Sequence, residues 1–124
     1  MITWFEKHNK ISLAITILIA GVIFYVSSLT FKGTGGGGNN MNATLYHIFI
    51  FFIFSFFLSV SVIRGKRKNL FLLVNIIAII YGILDEVHQI FVPGRSSSIN
   101  DFFLDFVGIL FAFMFYFILI EYRK

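Results

Sequence analysis

Apolar residues fill this chain in four long blocks, and polar residues punctuate them. The first block runs without a charge from Ile11 to Phe31, and the others cover about 44–63, 70–91 and 101–120. Each is close to the roughly 20 residues that an α-helix needs to cross the hydrocarbon core of a bilayer, and a helix satisfies its own backbone in lipid. The pattern predicts an all-α integral membrane protein, a four-transmembrane-helix bundle forming one domain over residues 1–124. The interruptions read as loops. Lys32 and GTGGGGNNMN are too rich in glycine for a helix interior. RGKRKN follows at 64–69, and in VPGRSSSIN the Pro93-Gly94 pair ends the third helix.

Inside the blocks, small and polar residues recur at spacings of three and four. The third helix carries Asn75, Ala78, Gly82, Asp85/Glu86 and Gln89 on one stripe, and the fourth Asp101, Asp105, Gly108 and Ala112. On the first, Ala14, Gly21 and Ser28 recur, with Tyr25 between them. Small residues let helix backbones approach closely in lipid, so these stripes predict the packed faces. The 18 Phe, with Ile and Leu, are expected to face acyl chains or to pack.

Charge adds an orientation. Lys7, Lys10, Arg64, Lys66, Arg67, Lys68, Arg123 and Lys124 share one side of a chain with four crossings, leaving Lys32 and Arg95 on the other. By the positive-inside rule both N- and C-termini and the 64–69 loop are cytoplasmic, with Trp4 and Tyr122 at that interface. The first block is longer than the roughly 7–15 apolar residues of a signal peptide core, so it reads as a retained span. Composition agrees: 58% of residues are hydrophobic and 13% charged, against about 25% charged in soluble domains. There is no cysteine to supply a disulfide or a thiolate. No nucleic-acid motif, serine triad, phosphate loop or oxidoreductase fingerprint is present, and membrane lipids are the expected partners.

The acids break the pattern. Asp85, Glu86, Asp101 and Asp105, four of six in the chain, lie toward the outer ends of the third and fourth helices. A carboxylate inside a transmembrane helix is disfavoured by roughly 2.5–3.5 kcal/mol on insertion scales, so such groups face a protein interior or a wet cavity and mark function. His47 lies near the outer start of the second helix, and Ser27-Ser28 near the outer end of the first. All four helices thus carry polar groups to one leaflet, predicting a shallow outward-facing pocket roughly 5–10 Å below the helix ends.

Several jobs are open to this set. Arg95 has a planar guanidinium that can hold a carboxylate or phosphate, with Ser96 to Ser98 and Asn100 beside it; equally, it can pair with Asp85, Glu86 or Asp101. Asp85 and Glu86 point about 100° apart on a helix, leaving one to accept a bond from His47 and the other from Arg95. Crowded carboxylates in low dielectric suit acid/base work. The catalytic candidates are Asp85, Glu86 and His47; the substrate-binding candidates are Gln89, Arg95, Ser97, Asp101, Asp105 and Ser28. His8 reads as part of a polar tail, and His88 as peripheral, one residue off the stripe. No helix carries the His-x-x-x-His or Glu-x-x-His spacing of zinc or di-iron sites, so neither metal nor cofactor is expected. An ion channel is disfavoured, because the acids gather at one end.

DEVHQIFVPGR, followed by Asp101 and Gly108, resembles the signature of the VanZ-like family of small membrane proteins. The matching positions are Asp85, Glu86, Gln89, Phe91, Pro93, Gly94, Arg95, Ser96 to Ser98, Asp101 and Gly108, with His47 similar to the family's histidine and Ser27-Ser28 to its serines. Three positions depart: Thr44 and Phe51 stand where the family often has Lys and Tyr, and Asp105 where it has Asn. The resemblance implies a link to glycopeptide (teicoplanin) resistance in a bacterial cytoplasmic membrane. Two classes of function follow. One is an intramembrane hydrolase or transferase acting on a phospholipid or lipid-linked head group, such as a cell-wall precursor. The other is a non-catalytic accessory protein that alters antibiotic access to the cell surface.

Overall fold

The computed structural model describes residues 1–29, 41–94 and 99–124, apart from the side chain of Asn42. Five α-helices follow one another: α1 (Ile2–Lys7), α2 (Asn9–Ser27), α3 (Met41–Ile63), α4 (Phe71–Ile90) and α5 (Ile99–Tyr122), with a 3₁₀ turn at Lys68–Leu70 leading into α4. Four of them, α2 to α5, are long and apolar enough to cross a membrane. No strand occurs among the described residues. Intrinsic propensity does not explain these helices, which are crowded with Phe, Ile and Val; the cost of an unpaired backbone group in lipid does.

The largest departures from the predicted boundaries lie in the N-terminal part of the chain. The first span begins at Asn9 and ends at Ser27, so Ser28 and Leu29 lie outside the helix, while Thr30 and Phe31 fall outside the described residues. The N-terminal residues, expected as a tail, form α1. That helix lays Phe5 edge-on against Phe57 of α3, with ring centroids 5.4 Å apart, and buries Glu6. His8 caps it, its Nδ1 2.9 Å from the Trp4 carbonyl and its ring stacked on Trp4.

Helix α3 is the axis of the bundle. It packs against α1, α2, α4 and α5, whereas α2 and α5 do not meet. Its closest approach is to α5 at Gly108: a Cβ there would lie 2.3 Å from the Ile48 carbonyl oxygen and 3.1 Å from the Phe52 amide. Only glycine allows this backbone-on-backbone contact. It brings His47, next to Ile48, opposite Asp105, one turn before Gly108.

The packed faces match expectation on two helices and not on a third. On α4 the buried stripe is Phe71, Val74, Ala78, Gly82, Asp85, Glu86 and Gln89, and Asn75 sits at its edge with its amide donating to the Phe71 carbonyl at 2.8 Å. On α5 it includes Asp105, Gly108, Ala112 and Tyr116. On α2, however, Ala14, Gly21, Tyr25 and Ser28 are exposed, and no atom lies within 4 Å of a Cβ built on Gly21. The inward face is Ser12, Thr16, Ile19, Ile23 and Ser27. Serine and threonine serve as small residues there, since a hydroxyl can bond the carbonyl one turn back, as Thr16 does to Ser12 at 2.8 Å.

At one end of the bundle, a polar clasp joins both termini to the α3–α4 connection. Tyr116 donates to Glu6 Oε1 at 2.7 Å and accepts from the Gly65 amide at 3.0 Å. Arg123 grips both Glu6 oxygens, at 2.7 and 3.0 Å. Lys68 pairs with Glu121. Gly65 has φ +68 and Arg64 φ 55, and a Cβ on Gly65 would stand 3.0 Å from the Glu6 carboxylate, so the left-handed turn and the buried acid both call for glycine.

Candidate functional site

The other end carries the remaining acids. His47 lies six residues into α3, Asp105 six into α5, and Asp85 and Glu86 five and four before the end of α4. At about 1.5 Å per residue, all four sit roughly 6–9 Å from their helix ends, at a common depth. His47, Asp85, Glu86, Gln89 and Asp105 are all buried.

The centre is a hydrogen bond between His47 Nδ1 and Asp105 Oδ1, 2.7 Å long and sealed from solvent. As an imidazole N–H on a carboxylate it belongs to the short, strong class. With the proton on Nδ1, the second nitrogen, Nε2, is the one left to accept a proton; it lies 4.0 Å from Asp101 Oδ1. Donor atoms of His47, Glu86 and Asp105, one from each of α3, α4 and α5, all fall within 4.8 Å of one another. Asp85 faces along its own helix, its Oδ2 accepting from Gln89 Nε2 at 3.0 Å. Two buried oxygens, Asp105 Oδ2 and Gln89 Oε1, have no hydrogen-bond partner among the described residues.

Seven of the nine predicted site residues are among those described. Asp85, Glu86, His47, Gln89 and Asp105 meet inside the bundle, and Asp101 flanks them, partly exposed. Arg95 and Ser97 lie outside the described residues. His47 makes its hydrogen bond to Asp105, where the sequence reading assigns it to Asp85 or Glu86. The acid at 105 marked a departure from the family pattern, yet it is the group that orients the histidine. Ser28 is exposed; its hydroxyl bonds the Phe24 carbonyl at 2.8 Å and His88 Nε2 at 2.9 Å, while His88 stacks on Phe24. Ser28 and His88 thus form an α2–α4 tie, and the inward hydroxyl is that of Ser27, 2% exposed.

Sequence reasoning overlooked the clasp at the opposite end. Its one readable signal is Tyr116, which extends the Gly108–Ala112 stripe by four. Beside the α3–α5 crossing, on the surface turned away from the bundle, Leu45, Ile48, Phe49, Phe52, Phe111 and Phe115 line an open apolar groove of about 580 Å³.

No curated protein and no solved structure matches the chain. A family model described as VanZ/LLP1 does match, over residues 5–120, a stretch that holds three spans and all but the last two residues of the fourth, with the glycine crossing and the His47–Asp105 centre. The chain is therefore a member of the VanZ/LLP1 family.

Proposed function

We propose that the polar cluster is a working site facing the outer leaflet, at which the protein acts on the head group of a phospholipid or a lipid-linked cell-wall precursor as an intramembrane hydrolase or transferase. The observation that carries this reading is the buried His47–Asp105 bond with Glu86 beside it. A carboxylate that orients an imidazole while leaving Nε2 available is the arrangement a general base requires. Asp85, Glu86 and His47 are the acid/base candidates. Gln89, Asp101 and Asp105 shape the pocket, and Arg95, with Ser97, holds the anionic group. Support for a lipid substrate comes from the groove along α3 and α5: an acyl chain lying there would leave its head group at the level of the acids. The outward orientation rests on the basic residues at the clasp end, which the positive-inside rule assigns to the cytoplasm of a bacterial cell.

A second reading has its own support. The His47–Asp105 bond satisfies the histidine internally, which suits a rigid, non-catalytic accessory protein that alters the access of a glycopeptide such as teicoplanin to the cell surface.

Conservative substitution separates the two. His47→Asn, Asp85→Asn and Glu86→Gln are each expected to abolish head-group turnover by the purified protein in liposomes, read by mass spectrometry, and to lower teicoplanin resistance at equal membrane levels. Full resistance in all three variants eliminates acid/base chemistry and leaves the accessory role. Arg95→Lys is expected to harm either version, because charge survives and the bidentate fork does not.

A further inference from the structure

We propose that His47, Glu86 and Asp105 bind a divalent transition-metal ion, Zn²⁺ or Mn²⁺, inside the bundle. Their donor atoms come from three different helices and lie within 4.8 Å of one another. A first-row ion sits about 2.0–2.2 Å from nitrogen and carboxylate ligands, so two donors on opposite sides of it are at most about 4.4 Å apart. The observed set, within 4.8 Å, is near that limit and closes on an ion as the three side chains draw together.

A second observation points the same way. Asp105 is fully buried, and while its Oδ1 meets His47, its Oδ2 has no hydrogen-bond partner among the described residues. A buried carboxylate oxygen without a partner keeps its full desolvation penalty; a cation removes that cost. Because Asp105 lies against His47 Nδ1, that nitrogen is the one that ligates an ion shared with Asp105, and Nε2, 4.0 Å from Asp101 Oδ1, keeps the ring proton. The donor chemistry selects the ion class. An imidazole among carboxylates favours zinc or manganese over the all-oxygen preferences of calcium and magnesium, and the three ligands include none of the sulfur that copper(I) seeks. The spacing rules for helical metal motifs look for two ligands on one helix. Here each helix contributes a single ligand, which is why the sequence carries no such signature.

The inference borrows from the proposed function only the location of the cluster. It is tested without substrate, so a chain that binds metal and leaves lipid head groups unchanged overturns the enzymatic reading alone. The full-length protein, purified in detergent micelles from cells grown with both metals, is assayed by elemental mass spectrometry. It is then stripped with a chelator and titrated separately with ZnCl₂ and MnCl₂ against a chromophoric competitor. About one ion per chain is expected. Asp105→Asn retains an oxygen to accept the His47 N–H bond and so preserves the fold; it is expected to weaken binding by ~10-fold or more. Glu86→Gln tests the ligand on α4 independently, with helicity and gel-filtration behaviour measured for both variants. Stoichiometry near zero with no binding of either metal up to about 1 mM overturns the proposal, as does metal binding that survives both substitutions.

Discussion

Gly108 shows how much one residue can control. Its missing side chain lets α5 rest on the backbone of α3, and the contact atoms are a carbonyl and an amide that cannot rotate away. Gly108→Ala must therefore move the two helices apart, and a loss of about 1–3 kcal/mol is expected, seen as a lower unfolding midpoint in detergent. Gly21 provides the contrast on the exposed face of α2. With open space around it, Gly21→Ala is expected to be neutral or to stabilise by up to about 1 kcal/mol through helix propensity. The sequence places both glycines on stripes of small residues and does not distinguish them. Asp105 teaches a related lesson: the acid was legible as a functional candidate, but its partner was not, because any of four carboxylates is chemically able to meet one histidine.

Elements obey the same logic one level up. The faces of α4 and α5 were readable because their small residues and acids coincide, and an acid cannot face acyl chains cheaply. On α2 no acid marks the inward side. Lipid is as apolar as leucine, so nothing sorts small residues inward except a close contact, and a serine face can win over an alanine–glycine one. Helix α1 is too short to stand alone and is held by the clasp. Burial pushes the Glu6 carboxyl up, but hydrogen bonds from Arg123 and Tyr116, together with the Arg123 charge, outweigh it and hold Glu6 below its ordinary value of 4.5. A carboxyl with a lowered folded-state pKa binds protons less readily when folded. Its contribution is therefore complete above pH 4.5 and fades as pH falls through the lower folded value. Glu6→Gln is expected to lower stability by on the order of 1 kcal/mol at neutral pH. The difference from the parent protein should shrink in detergent melts taken progressively below pH 4.5; a difference independent of pH argues against this role.

Across the whole molecule, the charged groups gather at the two ends, with the basic residues of the described chain at the clasp end, where Glu6 and Glu121 pair with some of them. The clasp ties both termini and the 64–70 connection to one end, and the His47–Asp105 cluster lies at the other. With no native cysteine, the side facing the cytoplasm is open to single-cysteine labelling. Lys66→Cys is expected to react with an impermeant maleimide only after the membrane is breached, and Gly36→Cys in intact cells; the reverse pattern inverts the orientation. The sequence by itself determined the membrane class and the number of helices able to span, because lipid tolerates few backbone solutions and a span has a minimum apolar length. It also marked the end that bears the acids, since charges are rare and costly there. Only the tertiary structure decided which carboxylate meets His47, which face of α2 turns inward and that a second polar cluster closes the opposite end. Those outcomes depend on sub-ångström packing between helices distant in the chain, and in a medium as apolar as the side chains, hydrophobicity does not dictate them.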